Sequence, residues 1–143
     1  MAILNYTTSI STEKTAAEIQ KTLANAKAQA VMSEYDDAGV MCAMSFRIVG
    51  PSGFISFRLP ANIDGVFRSM QKDRKVPRRL KSKEQAARVA WRIVKDWVEA
   101  QVAIVEAQMA ELPEVFLPYA QNETGQTVYE AIKNNGFKMI THN

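Results

Sequence analysis

From Val40 to Val49 the chain reads as an alternating run, with Val40, Cys42, Met44, Phe46 and Ile48 on one side and the polar Ser45 and Arg47 on the other. A period of two is the mark of a strand with one face on a core. The same period returns after Gly53, where Ile55, Phe57 and Leu59 face one way and Phe54, Ser56 and Arg58 the other. Turn-forming runs, Asp36-Asp-Ala-Gly39 and Gly50-Pro-Ser-Gly53, separate these strands from each other and from Ala30–Tyr35, which predicts an antiparallel meander. The opening Ile3–Ile10, rich in β-branched and aromatic residues, reads as a further strand.

Elsewhere the period lengthens to that of a helix. Thr15-Ala-Ala-Glu18 fits a capping box and is followed by Ile19, Leu23 and Ala26, so a first helix of about 14 residues is expected to end near Gln29. Val66–Met70 suits a short helix, and Pro77 leaves 71–81 as a loop. Ser82-Lys-Glu-Gln85 is a second capping box, and no Pro or Gly follows until Pro113. That predicts a helix of about 30 residues, roughly 45 Å long. Its apolar residues cover more than about half of its circumference, although a helix lying on a sheet needs a stripe of only about 100°. The surplus calls for cover by the C-terminal segment or by a second copy of the chain, and Trp91, Val98, Val102 and Met109 mark the candidate oligomer interface. Past Pro113, Val115–Tyr119 is expected to be extended because of Pro118. Thr127-Val-Tyr-Glu130 is a third capping box, opening a short helix that Asn135-Gly136 closes. The expected fold is α+β: an antiparallel sheet of three or four strands packed on one long helix, with short flanking helices, as a single domain over 1–143.

Composition narrows the chemistry. A chain of 143 residues with 47% hydrophobic and 23% charged residues suits one ordered core. One cysteine and one histidine leave no partner for a disulfide, a Cys/His zinc site or a Cys–His nucleophile within the chain. There is no Gly-rich phosphate loop, nucleophile elbow or kinase signature. Glu34, Asp36 and Asp37 are the clustered carboxylates, beside a turn whose chemistry explains them. The chain is therefore expected to be no enzyme and to carry no cofactor or metal. With no signal-peptide pattern and no membrane-length apolar run, a cytoplasmic location without membrane contact is expected.

Charge is what breaks the uniformity. Residues 1–71 hold six Lys/Arg and six Asp/Glu, 72–95 hold ten against two, and 96–143 hold two against seven. A basic block from Lys72 to Lys83 that runs into a helix start points to an anionic partner. Arg74, Arg78 and Arg79 are the leading candidates for phosphate contact, supported by Lys75, Lys81 and Lys83 and extended along the helix by Arg88 and Arg92. A second candidate is the strand face bearing Phe54 and Arg58, with Arg47 on the neighbouring strand, since aromatics beside arginines on an open sheet stack bases.

The ordered set Glu13–Ile19, Phe46–Pro60, Ala90-Trp-Arg92, Ala100–Glu106, Phe116–Tyr119 and Gly125–Glu130 resembles a type of small protein encoded by bacteriophages and prophages. Where that type carries a Gly-Ala pair after the first helix, this chain has Lys27-Ala-Gln-Ala30. The resemblance implies a phage origin, hence the cytoplasm of a host cell, and brings no catalytic residues. The expectation that follows is a non-catalytic accessory protein binding nucleic acid with little sequence preference, in a homo-oligomer. The alternative is an anti-defence or host-takeover protein that occupies a host defence protein or sequesters a nucleotide.

Overall fold

The computed structural model describes residues 3–143. Three strands, β1 (Ala30–Tyr35), β2 (Met41–Gly50) and β3 (Gly53–Pro60), form an antiparallel sheet in the order β1-β2-β3. Five α-helices surround it: α1 (Thr12–Asn25), α2 (Ile63–Lys72), α3 (Lys83–Glu106), α4 (Leu112–Phe116) and α5 (Val128–Asn134). The architecture is α+β with α3 as its longest element. None of these helices is long and apolar enough to cross a membrane.

The sheet register places Ile55, Phe57 and Leu59 opposite Ile48, Phe46 and Met44 on the core side. Phe46 and Phe57 stack with ring centroids 4.9 Å apart, and Phe116 of α4 meets Phe46 edge-on at 5.4 Å. Ile19 and Leu23 of α1 and Trp91, Val98 and Val102 of α3 close this core. Trp91 is fully buried, and its indole N–H donates to the Met41 carbonyl at 3.0 Å, so a bulky polar-tipped side chain is satisfied at the sheet's end. A second core uses a neighbouring stripe of α3. Ala86 and Val89 pack there with Met70 of α2, Val76 and the partly buried Ile3, Tyr6 and Leu80.

Several sequence expectations are corrected. Ile3–Ile10 is not a fourth strand: it runs as turns and irregular backbone, and Ile3 and Tyr6 insert into the second core. Gln85, itself buried, fixes this segment by donating its amide to the carbonyls of Tyr6 and Thr8, both at 2.9 Å. Thr15 does not cap α1; Ser11 does, accepting from Lys14 N, and Thr15 lies fully buried one turn inside. The strict alternation along β2 breaks at Cys42. Tyr35 pairs with Met41 and Glu34 with Ala43, leaving Cys42 as the extra residue of a bulge, so Met41 enters the core while Val40 stays exposed.

The long helix is 24 residues, not about 30. It ends without glycine, in a Schellman arrangement: Gln108 adopts φ +62, its N–H bonds Val105 O, and Met109 N bonds Ile104 O. Lys27, at φ +79, ends α1 in the same way: its N–H bonds Ala24 O, and Ala28 N bonds Leu23 O. Pro113 opens α4 rather than merely following a helix, because a proline in the first turn lacks only an N–H that would have no partner. Val115–Tyr119 is accordingly helical and 3₁₀, not extended. Ser82 and Thr127 do cap their helices as the sequence suggests.

The broad apolar surface of α3 is consumed by the two cores. Trp91, Val98 and Val102 are all buried within the chain, which removes them as an exposed oligomer interface. Met109 is exposed but lies beyond the end of α3.

Candidate anion-binding surface

The basic loop is a fastened structure. Past the end of α2, the carboxylate of Asp73 accepts from the N–H of Lys75 at 2.9 Å and from that of Ile3 at 3.3 Å. Val76 N bonds the Asp73 carbonyl, and the Val76 side chain is 2% exposed in the second core. Pro77 opens a 3₁₀ turn at Arg78–Leu80, and Lys81 Nζ returns to the Gln71 carbonyl at 3.2 Å. Ser82 then caps α3 through Gln85 N. Apolar anchors at Val76 and Leu80 thus alternate with charged positions, and the anchors point inward.

The charged positions point outward. Arg74, Lys75, Arg78, Arg79 and Lys83 are exposed, and Lys81 is half-buried. Ion pairs among the described residues join Arg58 to Glu34, Arg92 to Glu18, and Lys95 to Asp96 and Glu99, so none involves these six. Asp73, the one acid between Arg68 and Lys83, is spent on backbone N–H groups. Two further exposed cations, Arg68 and Lys72, stand one turn apart on α2. Arg68 was not singled out from the sequence; its i,i+4 spacing from Lys72 on a helix reaching the basic block was the available signal.

Arg92 does not extend the patch, and Arg88 is engaged through its Nε alone. Arg88 Nε donates to Gln85 Oε1 at 2.9 Å, and Arg92 Nη1 donates to Glu18 at 2.6 Å and to Thr15 Oγ1 at 3.3 Å. A guanidinium already held by a carboxylate has little left for a phosphate. The Arg92 hydrogen bond holds the Glu18 carboxyl below its ordinary value. Glu130 is lowered too, by its hydrogen bonds with Thr127 at the start of α5.

A cleft of about 770 Å³ lies beside the patch, where the first turns of α1, α2 and α3 meet the β1–β2 turn. Glu13, Asp36, Asp64 and Glu84 line it against Lys83 and Arg88, over Met41, Cys42 and Ala87. Four carboxylates against two cations repel a phosphate group. Glu34 is not part of a carboxylate cluster here: it pairs with Arg58 at 3.2 Å and accepts from Ser45 at 2.7 Å. Asp36 caps its own turn through Ala38 N and Val40 N, and no group of three potential metal ligands forms among the described residues.

The second candidate surface is also assembled. The register aligns Val49 with Phe54, Arg47 with Ser56, and Ser45 with Arg58 on the sheet face opposite the core. Arg47 folds diagonally over Phe54, its guanidinium carbon 4.1 Å from the ring centroid. Met32, Arg47, Val49 and Phe54 are all exposed. Arg47 and Phe54 sit near the β2–β3 turn, whereas the basic loop belongs to the second core. The chain therefore carries two distinct surfaces.

No protein-family model, curated protein or solved structure is significantly similar to this chain.

Proposed function

We propose that the chain is a non-catalytic accessory protein, of the phage type its sequence resembles, that binds nucleic acid through the basic loop and the start of α3. The observation that supports this is the set of exposed, unpaired side chains of Arg74, Lys75, Arg78, Arg79 and Lys83 on a loop pinned by Val76. A mobile basic loop would lose backbone entropy on binding; an anchored one loses less, because its backbone is already fixed. Cations spread over a short loop and a helix start are placed to meet the phosphate backbone, whose contacts carry no sequence information. Binding is therefore largely independent of sequence and falls steeply with salt. The start of α3 adds its partial positive charge beside Lys83.

Sequestration of a free nucleotide gains no support from the cleft, whose carboxylates outnumber its cations. The discriminating experiment is titration with oligonucleotides of increasing length. A tracking cationic surface gains affinity with each added phosphate it covers, while a nucleotide trap saturates with one small molecule per site.

A further inference from the structure

We propose that the Arg47–Phe54 pair, exposed beside the β2–β3 turn, is a stacking platform for an unpaired nucleobase, and that it makes the protein prefer single strands to duplex. The proposal rests on the nucleic-acid reading and adds to it the form of the ligand.

The fold leaves more than half of the Phe54 side chain in solvent. Phe54 is 57% exposed and its cross-strand neighbour Val49 58%, so an apolar pair stands open beside the β2–β3 turn, with Arg47 next to it. On its own such a pair fits many occupants. Charge narrows the choice: the only ionised groups on this face of the strands are Arg47, Arg58 and Glu34, and Glu34 is neutralised by Arg58. Glu130 of α5 also lies within reach of Arg58, and Arg47 is the cation of this face that makes no ion pair among the described residues.

The geometry narrows it further. At 4.1 Å from the Phe54 centroid, the Arg47 guanidinium is held by the ring's electron-rich face. The result is a planar cation lying over one face of an exposed ring. Bases stack on aromatic rings and on guanidinium planes alike, and the phosphate attached to a stacked nucleotide meets the positive charge of the same group. A base within a duplex has both faces stacked already and cannot enter. A flat, apolar and anionic repeating unit is the chemistry that matches, and an unpaired nucleotide has it.

The test uses the full chain with the variants Phe54→Leu, Phe54→Trp and Arg78/Arg79→Ala, and follows anisotropy of a labelled oligothymidine of about twelve nucleotides and of a duplex of equal length. Leucine keeps the apolar bulk at an exposed position and removes only the ring. Phe54→Leu is expected to weaken the single strand by about tenfold with duplex affinity unchanged, and Phe54→Trp to restore or strengthen it. The Arg78/Arg79 variant is expected to weaken both ligands. Equal single-strand affinity in Phe54→Leu and the wild type overturns the stacking platform, and loss of self-association in that variant instead would mark the face as an interface between copies. Unchanged binding in the Arg78/Arg79 variant defeats the basic-loop reading alone, and a wild type that binds neither ligand defeats both.

Discussion

Arg92 Nη1 donates to Glu18 Oε2 at 2.6 Å and to Thr15 Oγ1 at 3.3 Å, clasping α3 to α1 across the polar edge of the core. The pair explains why a basic residue in the most basic stretch of the chain does not belong to its basic surface. It also separates two roles that composition merges: cations that hold the fold and cations that face solvent.

Arg92→Ala should lower the thermal midpoint while leaving oligonucleotide affinity within about twofold, since the group makes no phosphate contact in this account. Arg78/Arg79→Ala should do the reverse, because neither side chain has a partner in the fold. A thermal melt and a binding isotherm on the same samples check both.

Acid stability follows from Glu18 and Glu130. Both carboxyls lie below their ordinary value in the folded chain, Glu18 through the Arg92 hydrogen bond and Glu130 through Thr127. Their contribution is complete above the unfolded glutamate value and is lost as pH falls through the lower folded values. Glu18→Gln should therefore flatten the decline of stability with pH in the acid range and leave the neutral-to-alkaline range parallel to wild type. Urea titrations across that range measure it.

Lys27 and Gln108 both sit at the left-handed position of a helix C-terminus, at φ +79 and φ +62. Glycine adopts this conformation without the Cβ clash that a side chain brings. Lys27→Gly and Gln108→Gly should each stabilise the protein by about 0.5–1 kcal/mol, the relief of that clash less the extra freedom of an unfolded glycine. Chemical denaturation of the two variants is the check.

Val76→Ala should cost about 2 kcal/mol by removing a fully buried branched side chain. Its diagnostic effect is local. Hydrogen exchange at Leu80 and Lys81 amides, bonded to Pro77 and Arg78 carbonyls, should accelerate more than exchange in the sheet.

Most of the sheet was legible because a period of two with a turn at each end admits few alternatives: β3 and its pairing with β2 follow from Ile55, Phe57 and Leu59. The bulge at Cys42 was not, since Val40 to Met44 are all apolar and the residue at which the faces switch shows only in the pairing. Ile3–Ile10 misled because strand composition does not supply a neighbouring strand, and Gln85 offers its backbone a side-chain partner instead. The wide apolar face of α3 was read correctly as needing a second cover. Part of that cover is the C-terminal segment, as expected, with Phe116 and Tyr119 edge-on to Trp97 at 5.4 and 5.3 Å; the rest, Val76 within a strongly basic loop together with α2, was hidden because one valine among charges carries no periodicity. For the site, the exposed loop cations followed from charge density alone, whereas the loss of Arg92 required knowing that Glu18 stands opposite it.

The central claim is that Arg74, Lys75, Arg78, Arg79 and Lys83 neutralise phosphates, and the salt dependence of duplex binding tests it most directly. Five such contacts predict a slope of log affinity against log salt of about −4 to −5, reduced in magnitude by about 2 in the Arg78/Arg79→Ala variant. A slope near zero, or one that the double variant leaves unchanged, would contradict the account.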